Sequence, residues 1–289
     1  MAKVKVTDFQ LKASSLIPGT IAYDLKDIID RGFKEATVSP IDSFISNALE
    51  INKLFTVNPS QVLGNLIILG YVSAIESYFR AIFRKLILID KITRINCEKK
   101  QVTYGAALNA SISVLPEALL ENASFASKNN ILLMLKEFLD LGVSDDNMPA
   151  DLKESLARFS EICELRHCIV HRFGKLGSNN AIKLGLAEHK FHIEKPIKCD
   201  FNTLQQIISI CQNIVRIANS FIFEKIMNRL IIMKSAKLSD TVWTWDYSKD
   251  KALFNKYFNA FYCKLNPPTP ALTARKLYDD YKAHYSSLP

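Results

Sequence analysis

Glycine and proline are scarce in this sequence. Its 289 residues include only nine glycines and ten prolines. An all-β sandwich or a doubly wound α/β sheet needs many tight turns, and turns depend on these two residue types. Because 48% of the residues are apolar, a chain of this length can bury a sizeable core. The composition therefore predicts an all-α fold.

The sequence also lacks the cysteine patterns of zinc ribbons and redox enzymes. Six cysteines are present, and no two of them form a Cys-x-x-Cys pair. We therefore expect free thiols that are buried in the core. The opening residues, MAKVKVTDFQ, contain no apolar signal-peptide core, which agrees with a reducing, cytoplasmic location.

Long runs of one charge are absent as well. The chain has 37 Lys and Arg against 29 Asp and Glu, a formal net charge of +8. This charge is enough to attract a polyanion such as RNA, but it is smaller than that of a dedicated nucleic-acid coat. Composition leaves two interpretations open, a nucleic-acid partner and simple solubility.

Residues 54–75 contain no charged side chain and could be mistaken for a membrane span. The stretch includes polar residues such as Asn58, Gln61, Asn65 and Ser73, which are too many for a segment that must cross about 30 Å of hydrocarbon. We predict a buried core helix here and no membrane partner.

Helical periodicity dominates the chain after residue 39. Residues 1–39 show no sustained period and are predicted to form an irregular arm. The predicted helices span about 41–54, 60–90, 104–124, 129–142, 150–172 and 202–234, followed by an aromatic helix near 254–262 and a short one near 271–284. Ser60, or Asn58 with Pro59, can cap the second helix. Residues 181–198 alternate loosely between apolar and polar side chains, which predicts a small hairpin.

The helix predicted at residues 150–172 has apolar side chains three or four residues apart, at Leu152, Leu156, Phe159, Ile162, Leu165 and Ile169. Gly174 can adopt the left-handed conformation that closes a helix, so His171 is expected in the final turn. Arg166 precedes His171 on the same helix.

Arg166, the polar His167 directly after it, and His171 at the end of the helix resemble the catalytic motif of the HEPN ribonuclease family, an Arg and a His separated by four residues. The central segment 70–80 is similar to the second helix common in these proteins. The resemblance implies a HEPN-like up-and-down bundle of four or five helices over residues 40–234. It does not cover the arm or the aromatic-rich C-terminal helical extension, residues 235–289.

The same resemblance implies an endoribonuclease that needs neither metal nor cofactor, with Arg166 and His171 catalytic. It also implies RNA as the substrate, and a role as a toxin or anti-phage defence effector with an antitoxin or other defence partner protein. One version of the family pattern has a Tyr two residues after the His, where it is a modification target. This sequence has Phe173 there, so regulation through that residue is in doubt.

The chemistry of these side chains fits RNA cleavage. A base must take the proton from the ribose 2′-OH, a cation must stabilise the charge on the phosphate, and an acid must protonate the leaving oxygen. Imidazole is the side chain whose ordinary titration lies nearest to neutrality, so His171 can act as base or acid. The planar, always-charged guanidinium of Arg166 matches phosphate oxygens.

One straight helix does not present Arg166 and His171 as a tight pair, because the five helical steps from one to the other amount to about 140° around the axis and about 7.5 Å along it. Since members of the family dimerise with their motifs facing across a cleft, we expect a homodimer with a composite site.

Four further residues are candidates for supporting or RNA-binding roles. His167 lies one turn before His171 and can hold phosphate or orient the catalytic imidazole, or it is a plain exposed residue. Glu76 can orient Arg166 or a histidine, or pair with Arg80 one turn away. Arg80 and Arg172 are cations able to contact RNA.

Three alternatives stay open from the sequence. The first is an inactive HEPN-like module that binds RNA or a protein. The second is a metal site, because His167 and His171 have helical ligand spacing and His189 with His192 form a second couple. The third concerns the C-terminal extension, whose aromatic residues and lysines either stack on RNA bases or pack against the domain.

Overall fold

The structure, a computed structural model, describes residues 24–112, 114–232 and 243–285. These residues contain eleven α-helices and no β-strand, which confirms the all-α fold. The helices are α1 (Pro40–Asn52), α2 (Gln61–Ile89), α3 (Lys91–Cys97), α4 (Tyr104–Asn109), α5 (Leu115–Leu119), α6 (Lys128–Leu139), α7 (Ala150–Arg172), α8 (Ser178–His189), α9 (Phe201–Ile232), α10 (Tyr247–Phe261) and α11 (Ala274–Tyr285). The chain divides into two compact units, residues 1–37 and 38–289, and all eleven helices belong to the second.

The described part of the first unit, residues 24–37, contains one short 3-10 turn at Leu25–Asp27. The carboxylate of Asp24 caps this turn by accepting a hydrogen bond from the N–H of Lys26 at 2.9 Å. The rest of the predicted arm, residues 1–23, lies outside the described residues.

The central helix of the second unit is α2. Its first turn is capped by Ser60, whose Oγ accepts a hydrogen bond from the N–H of Leu63 at 3.2 Å. Within the described residues, α2 is the one helix long and apolar enough to cross a membrane. Fourteen of its 29 residues are buried in the protein, and α1, α3, α5, α6, α7, α9 and α10 all contact it. It is therefore a buried core helix, as we predicted from the polar residues that argue against a membrane span.

A buried carboxylate, that of Asp90, joins the core helix to three other elements. Asp90 is fully buried and accepts hydrogen bonds from the N–H of Thr93 at 2.8 Å, which caps α3, and from the hydroxyl of Tyr257 at 2.9 Å. It also forms an ion pair with the buried guanidinium of Arg229, which in turn donates to the carbonyl of Leu139. One carboxylate thus links the α2–α3 junction to α9 and α10, and through Arg229 to the end of α6.

A second buried carboxylate, that of Asp42, fixes the segment after α10. Ser39 caps α1, and its hydroxyl donates to Asp42 at 2.8 Å. The other carboxylate oxygen of Asp42 accepts from the N–H groups of Lys264 at 2.9 Å and Leu265 at 3.0 Å. The loop that leads from α10 towards α11 is therefore held against the start of α1.

The aromatic residues of the C-terminal extension belong largely to the core. Trp243, Phe254 and Tyr278 are buried and pack edge to face, with Trp243 5.7 Å from Phe254 and Phe254 5.2 Å from Tyr278 between ring centroids. The hydroxyl of Tyr278 donates to the buried carboxylate of Asp250 at 2.6 Å. These rings pack against the domain and are not accessible for stacking on RNA bases.

The hairpin predicted at residues 181–198 is wrong. The structure has helix α8 there, followed by the 3-10 turn Lys190–His192. Among the described residues, the only strand-like pairing is an isolated bridge between Lys175 and Pro196. Because α8 is short and is interrupted at Gly185, which has φ 110° and ψ 91°, its apolar residues do not repeat with a clear helical period.

The cysteines are all buried and free, as the sequence predicted. Burial raises the pKa of Cys97 to about 11 and that of Cys211 to about 12. Because the thiolate is the reactive form, we expect a thiol-disulfide reagent at pH 8 to modify the native protein slowly and to modify six thiols in guanidinium chloride. A thiol that reacts rapidly in native buffer would contradict this assignment.

The Asp90 ion pair generates a stability prediction. Asp90→Ala leaves the guanidinium of Arg229 buried without its carboxylate, so we expect a loss of about 3–5 kcal/mol in the free energy of unfolding, measured with urea. The matched control is Asp279→Ala, which removes an exposed, solvent-screened pair with Arg275 and should cost far less than Asp90→Ala. Equal losses in the two variants would show that Asp90 is not a central contact.

Candidate functional site

Helix α7 spans Ala150–Arg172, as the sequence predicted, and His171 lies in its last turn. The residue that ends the helix differs from the prediction. Phe173 adopts the left-handed conformation first, with φ 52° and ψ 38°, and Gly174 follows with φ 84°. The N–H of Gly174 donates to the carbonyl of Cys168 at 3.1 Å, which closes the helix end.

His167 and His171 lie side by side on the surface of α7. Both are exposed, and their ring centroids are 4.4 Å apart with an angle of 49° between the rings. Residues four apart share a helix face, so this proximity follows from their spacing. The two imidazoles are close enough to act on one bound group.

Arg166 lies at the edge of the surface strip of α7 that carries His167, Val170 and His171. It is half-buried, and Val170, one turn further along, is 48% exposed and lies between Arg166 and the two histidines around the helix. No ion pair involves Arg166 within the part of the chain that the structure describes. Its guanidinium is therefore not neutralised by a carboxylate of the described residues.

Glu76 forms a different contact from those predicted. Its carboxylate accepts a hydrogen bond from the N–H of Phe125 at 3.2 Å, which fixes the loop before α6. Burial raises the pKa of the Cys163 thiol; the charge of Glu76 raises it further and the charge of Arg166 lowers it. Over the described ranges, no ion pair joins Glu76 to Arg80 or to Arg166.

Arg80 is used by the fold. Its guanidinium pairs with Glu117 at 2.9 Å and donates to the carbonyls of Leu120 and Ala123, each at 2.9 Å. These bonds connect α2 to α5 and to the segment after it. Because protein groups occupy this guanidinium, the structure does not bring Arg80 into the surface strip of α7.

The segment after α7 folds back onto the end of that helix. Cys168, Leu176 and Ala181 form a small buried cluster, separate from the main core. The N–H of Ile197 donates to the carbonyl of Gly174 at 2.7 Å. These contacts hold residues 173–198 beside the histidines.

Two carboxylates complete the attachment of this segment. Arg172 forms an ion pair with Glu194. On α7, Glu164 accepts from the amide of Asn180 at 2.7 Å and pairs with Lys183 on α8 at 2.8 Å. Arg172 therefore helps to position the segment and has an exposed guanidinium beside His171.

Residues 166–198 bring together many cations and most of the histidines of the chain. They contain seven Lys or Arg against two Glu, together with four of the five histidines. Exposed apolar side chains lie among these charges: Val170, Phe173, Ile182, Leu186 and Phe191, which are 45–78% exposed. The net charge of the whole chain does not reveal this concentration of cations, which is visible when the charge is counted segment by segment. We call residues 166–198 the basic segment.

The histidine couples do not form a metal site in the described residues. The rings of His189 and His192 are 6.0 Å apart between centroids. A catalytic zinc site takes three protein ligands, and over the described part of the chain no group of three His, Cys, Asp or Glu side chains is arranged to hold a metal ion.

Comparisons of this chain with models of protein families, with curated proteins and with solved structures find no match. The likeness to the HEPN family therefore depends on the residues of the motif and on their position at the end of a bundle helix.

The closed end of α7 generates a prediction. In Gly174→Ala the alanine would have to keep φ 84°, which is unfavourable for a residue with a side chain, and its Cβ would lie 2.6 Å from the side-chain nitrogen of Asn65. We therefore expect a loss of about 1–3 kcal/mol in the free energy of unfolding. The control is Gly105→Ala, where nothing lies within 4 Å of the added Cβ and the stability should be unchanged or slightly higher. A stability of Gly174→Ala equal to that of the parent would contradict the described helix end.

Proposed function

We propose that this protein is a metal-independent endoribonuclease of HEPN type that cleaves RNA with Arg166 and His171. The observation that supports the proposal best is the exposed pair of imidazoles, His167 and His171, which lie 4.4 Å apart at the end of α7, next to Arg166 and within the basic segment. Such a surface combines proton-transfer groups with cations that attract a phosphodiester.

The reaction requires three actions at one phosphate. A base accepts the proton of the ribose 2′-OH, and the 2′-oxygen then forms a bond to phosphorus. The bond from phosphorus to the 5′-oxygen breaks, and an acid donates a proton to that oxygen. The products are a strand with a 2′,3′-cyclic phosphate and a strand with a 5′-OH.

His171 is the proton-transfer residue in this proposal, and Arg166 stabilises the negative charge that develops on the phosphate oxygens. His167 supports His171, because its ring is within contact distance and can hold the phosphate or fix the neighbouring imidazole. Arg172 adds an exposed cation at the same end of the helix. Glu76 is given no catalytic role, because its carboxylate accepts from the N–H of Phe125 and no ion pair joins it to Arg166 in the described residues.

The catalytic unit is a homodimer in this proposal. Val170, Phe173, Ile182 and Leu186 expose apolar surface around the motif, and burial of such surface drives association. A two-fold axis that passes through this region would bring Arg166 and His171 of both copies into one groove. The proposed site is composite because one helix separates the two side chains by about 140°.

The biological context follows from the same resemblance. We place the protein in the cytoplasm, as a toxin or anti-phage effector that a partner protein restrains. Phe173 has no hydroxyl, so restraint by modification of that residue is not part of the proposal.

A catalytically inactive module is the second candidate, since the basic segment provides RNA-binding charge without requiring proton transfer. It differs from the first candidate in one measurable respect. An inactive module retains RNA without cutting it.

The test is incubation of the purified protein with a long RNA in excess EDTA. We expect cleavage by the parent and a loss of at least about 100-fold in rate for His171→Ala and for Arg166→Ala, the size of a general acid–base contribution. The matched control is Arg158→Gln on the same helix, whose exposed side chain pairs only with Glu161 in the described residues and whose rate should equal that of the parent.

Three results would overturn the proposal in different ways. Cleavage that occurs without EDTA and is abolished by EDTA indicates a metal-dependent enzyme. RNA binding without cleavage, with or without metal, indicates the inactive module. Equal cleavage by His171→Ala and the parent removes His171 from the mechanism.

A further inference from the structure

A pocket of about 580 Å³ lies where α9 meets the C-terminal helices, away from the basic segment. Its walls come from α9, from the end of α10, from the loop that follows α10 and from α11. Pockets that hold small molecules usually measure about 300–1,000 Å³ and combine apolar walls with a few polar groups. This pocket has both properties.

The walls are held in place by buried hydrogen bonds. Asn219, at the base of the pocket, accepts from the hydroxyl of Tyr78 at 3.1 Å and donates to the carbonyl of Phe261 at 2.9 Å. The loop beside it is fixed by the bonds from Lys264 and Leu265 to Asp42. The space is therefore bounded by elements that buried hydrogen bonds hold in place.

Aromatic rings form much of the lining. Phe223 packs against Phe261 at 5.2 Å and against Tyr281 at 6.3 Å between centroids. Phe258 and Tyr262 stack on each other at 4.6 Å with 20° between their planes. Such walls suit a flat ring, because aromatic groups stack or meet edge to face.

Opposite charges lie at two ends of one helical row. Arg216, Ser220 and Glu224 are four residues apart, so they line the pocket along one side of α9, with about 12 Å between the first and the last. Over the described residues, neither Arg216 nor Glu224 forms an ion pair. With the amide of Asn266 oriented so that its oxygen faces Arg216, that oxygen accepts two of the five guanidinium hydrogens, at 2.6 and 2.9 Å, and leaves three for another acceptor.

We propose that this pocket binds a purine nucleotide unit. The phosphate pairs with Arg216, the base lies among the aromatic rings around Phe223, and an amino group or ring N–H of the base donates to Glu224. In this orientation the anionic phosphate meets a cation, and a hydrogen-bond donor of the base meets a carboxylate. The proposal does not depend on the ribonuclease activity proposed for α7, because none of the residues of that site lines this pocket.

The binding test uses isothermal titration calorimetry in the His171→Ala background, so that RNA is not consumed. The probes are AMP and GMP, with adenosine as a ligand that lacks the phosphate and ribose 5-phosphate as one that lacks the base. We expect AMP or GMP to bind at least about tenfold more tightly than either partial ligand, because charge and stacking both contribute.

Two variants assign that binding to the pocket. Arg216→Gln removes the cation and should weaken nucleotide binding by about tenfold or more. Ser220→Trp keeps Arg216 and Glu224 but fills the space between them, and should abolish binding. Arg158→Gln is the matched arginine control and should bind as the parent does, and circular dichroism confirms that each variant is folded.

A short oligoadenylate distinguishes the two sources of such a unit. Tighter binding of the oligonucleotide than of AMP, lost in Ser220→Trp, identifies the unit as part of an RNA strand, whereas equal or weaker binding identifies a free mononucleotide. The proposal is overturned if AMP and GMP both fail to bind, if ribose 5-phosphate binds as tightly as they do, or if Ser220→Trp leaves their affinity unchanged.

Discussion

The ion pair between Asp90 and Arg229 is the contact on which the arrangement of this fold depends. Both side chains are buried, and the carboxylate also accepts from Thr93 and Tyr257. A buried charge is costly unless it is paired and hydrogen-bonded, so this carboxylate tolerates few arrangements of the elements around it. The end of the core helix, the long helix α9 and the C-terminal helix α10 are therefore joined at one point, and the C-terminal extension shares the core of the bundle.

Both candidate sites follow from that arrangement. Helix α9 packs along α7 on one side and forms a wall of the aromatic pocket on the other. With α2 and α9 covering its apolar face, α7 exposes the opposite face, which holds His167 and His171. The basic segment then folds over the end of α7 through the small cluster around Cys168. Imidazoles and cations are thus concentrated where a helix ends and the backbone turns, a position that leaves side chains accessible.

The sequence predicted the features that depend on strong local signals. Ser60 as a cap, the limits of α7 and the burial of α2 all come from capping chemistry or from a long apolar period. The helix predicted over residues 104–124 is instead two short helices, α4 and α5, because Pro116 lacks a backbone N–H and cannot continue a helix from the preceding turn. The left-handed residue after α7 is Phe173 first, a position where a glycine is usually expected.

Other features depend on partners that are distant along the chain. Arg80 is separated by 37 residues from Glu117, so its role in the fold could not be read from its neighbours. The pocket at Arg216 is likewise formed by four elements whose proximity depends on the buried carboxylates of Asp42 and Asp90. The motif at Arg166 and His171 could be found from the sequence because it lies within one helix.

The central functional claim is that two copies of α7 face each other around a phosphodiester. The most direct measurement is the distance between spin labels in the dimer, placed at Val170→Cys within the exposed strip and, as a reference, at Leu133→Cys on α6, which is 51% exposed. The native cysteines are buried and should not compete for the label. The account predicts a shorter distance between the copies of residue 170 than between those of residue 133. A monomeric protein, or a dimer in which residue 170 gives the longer distance, would contradict the composite site.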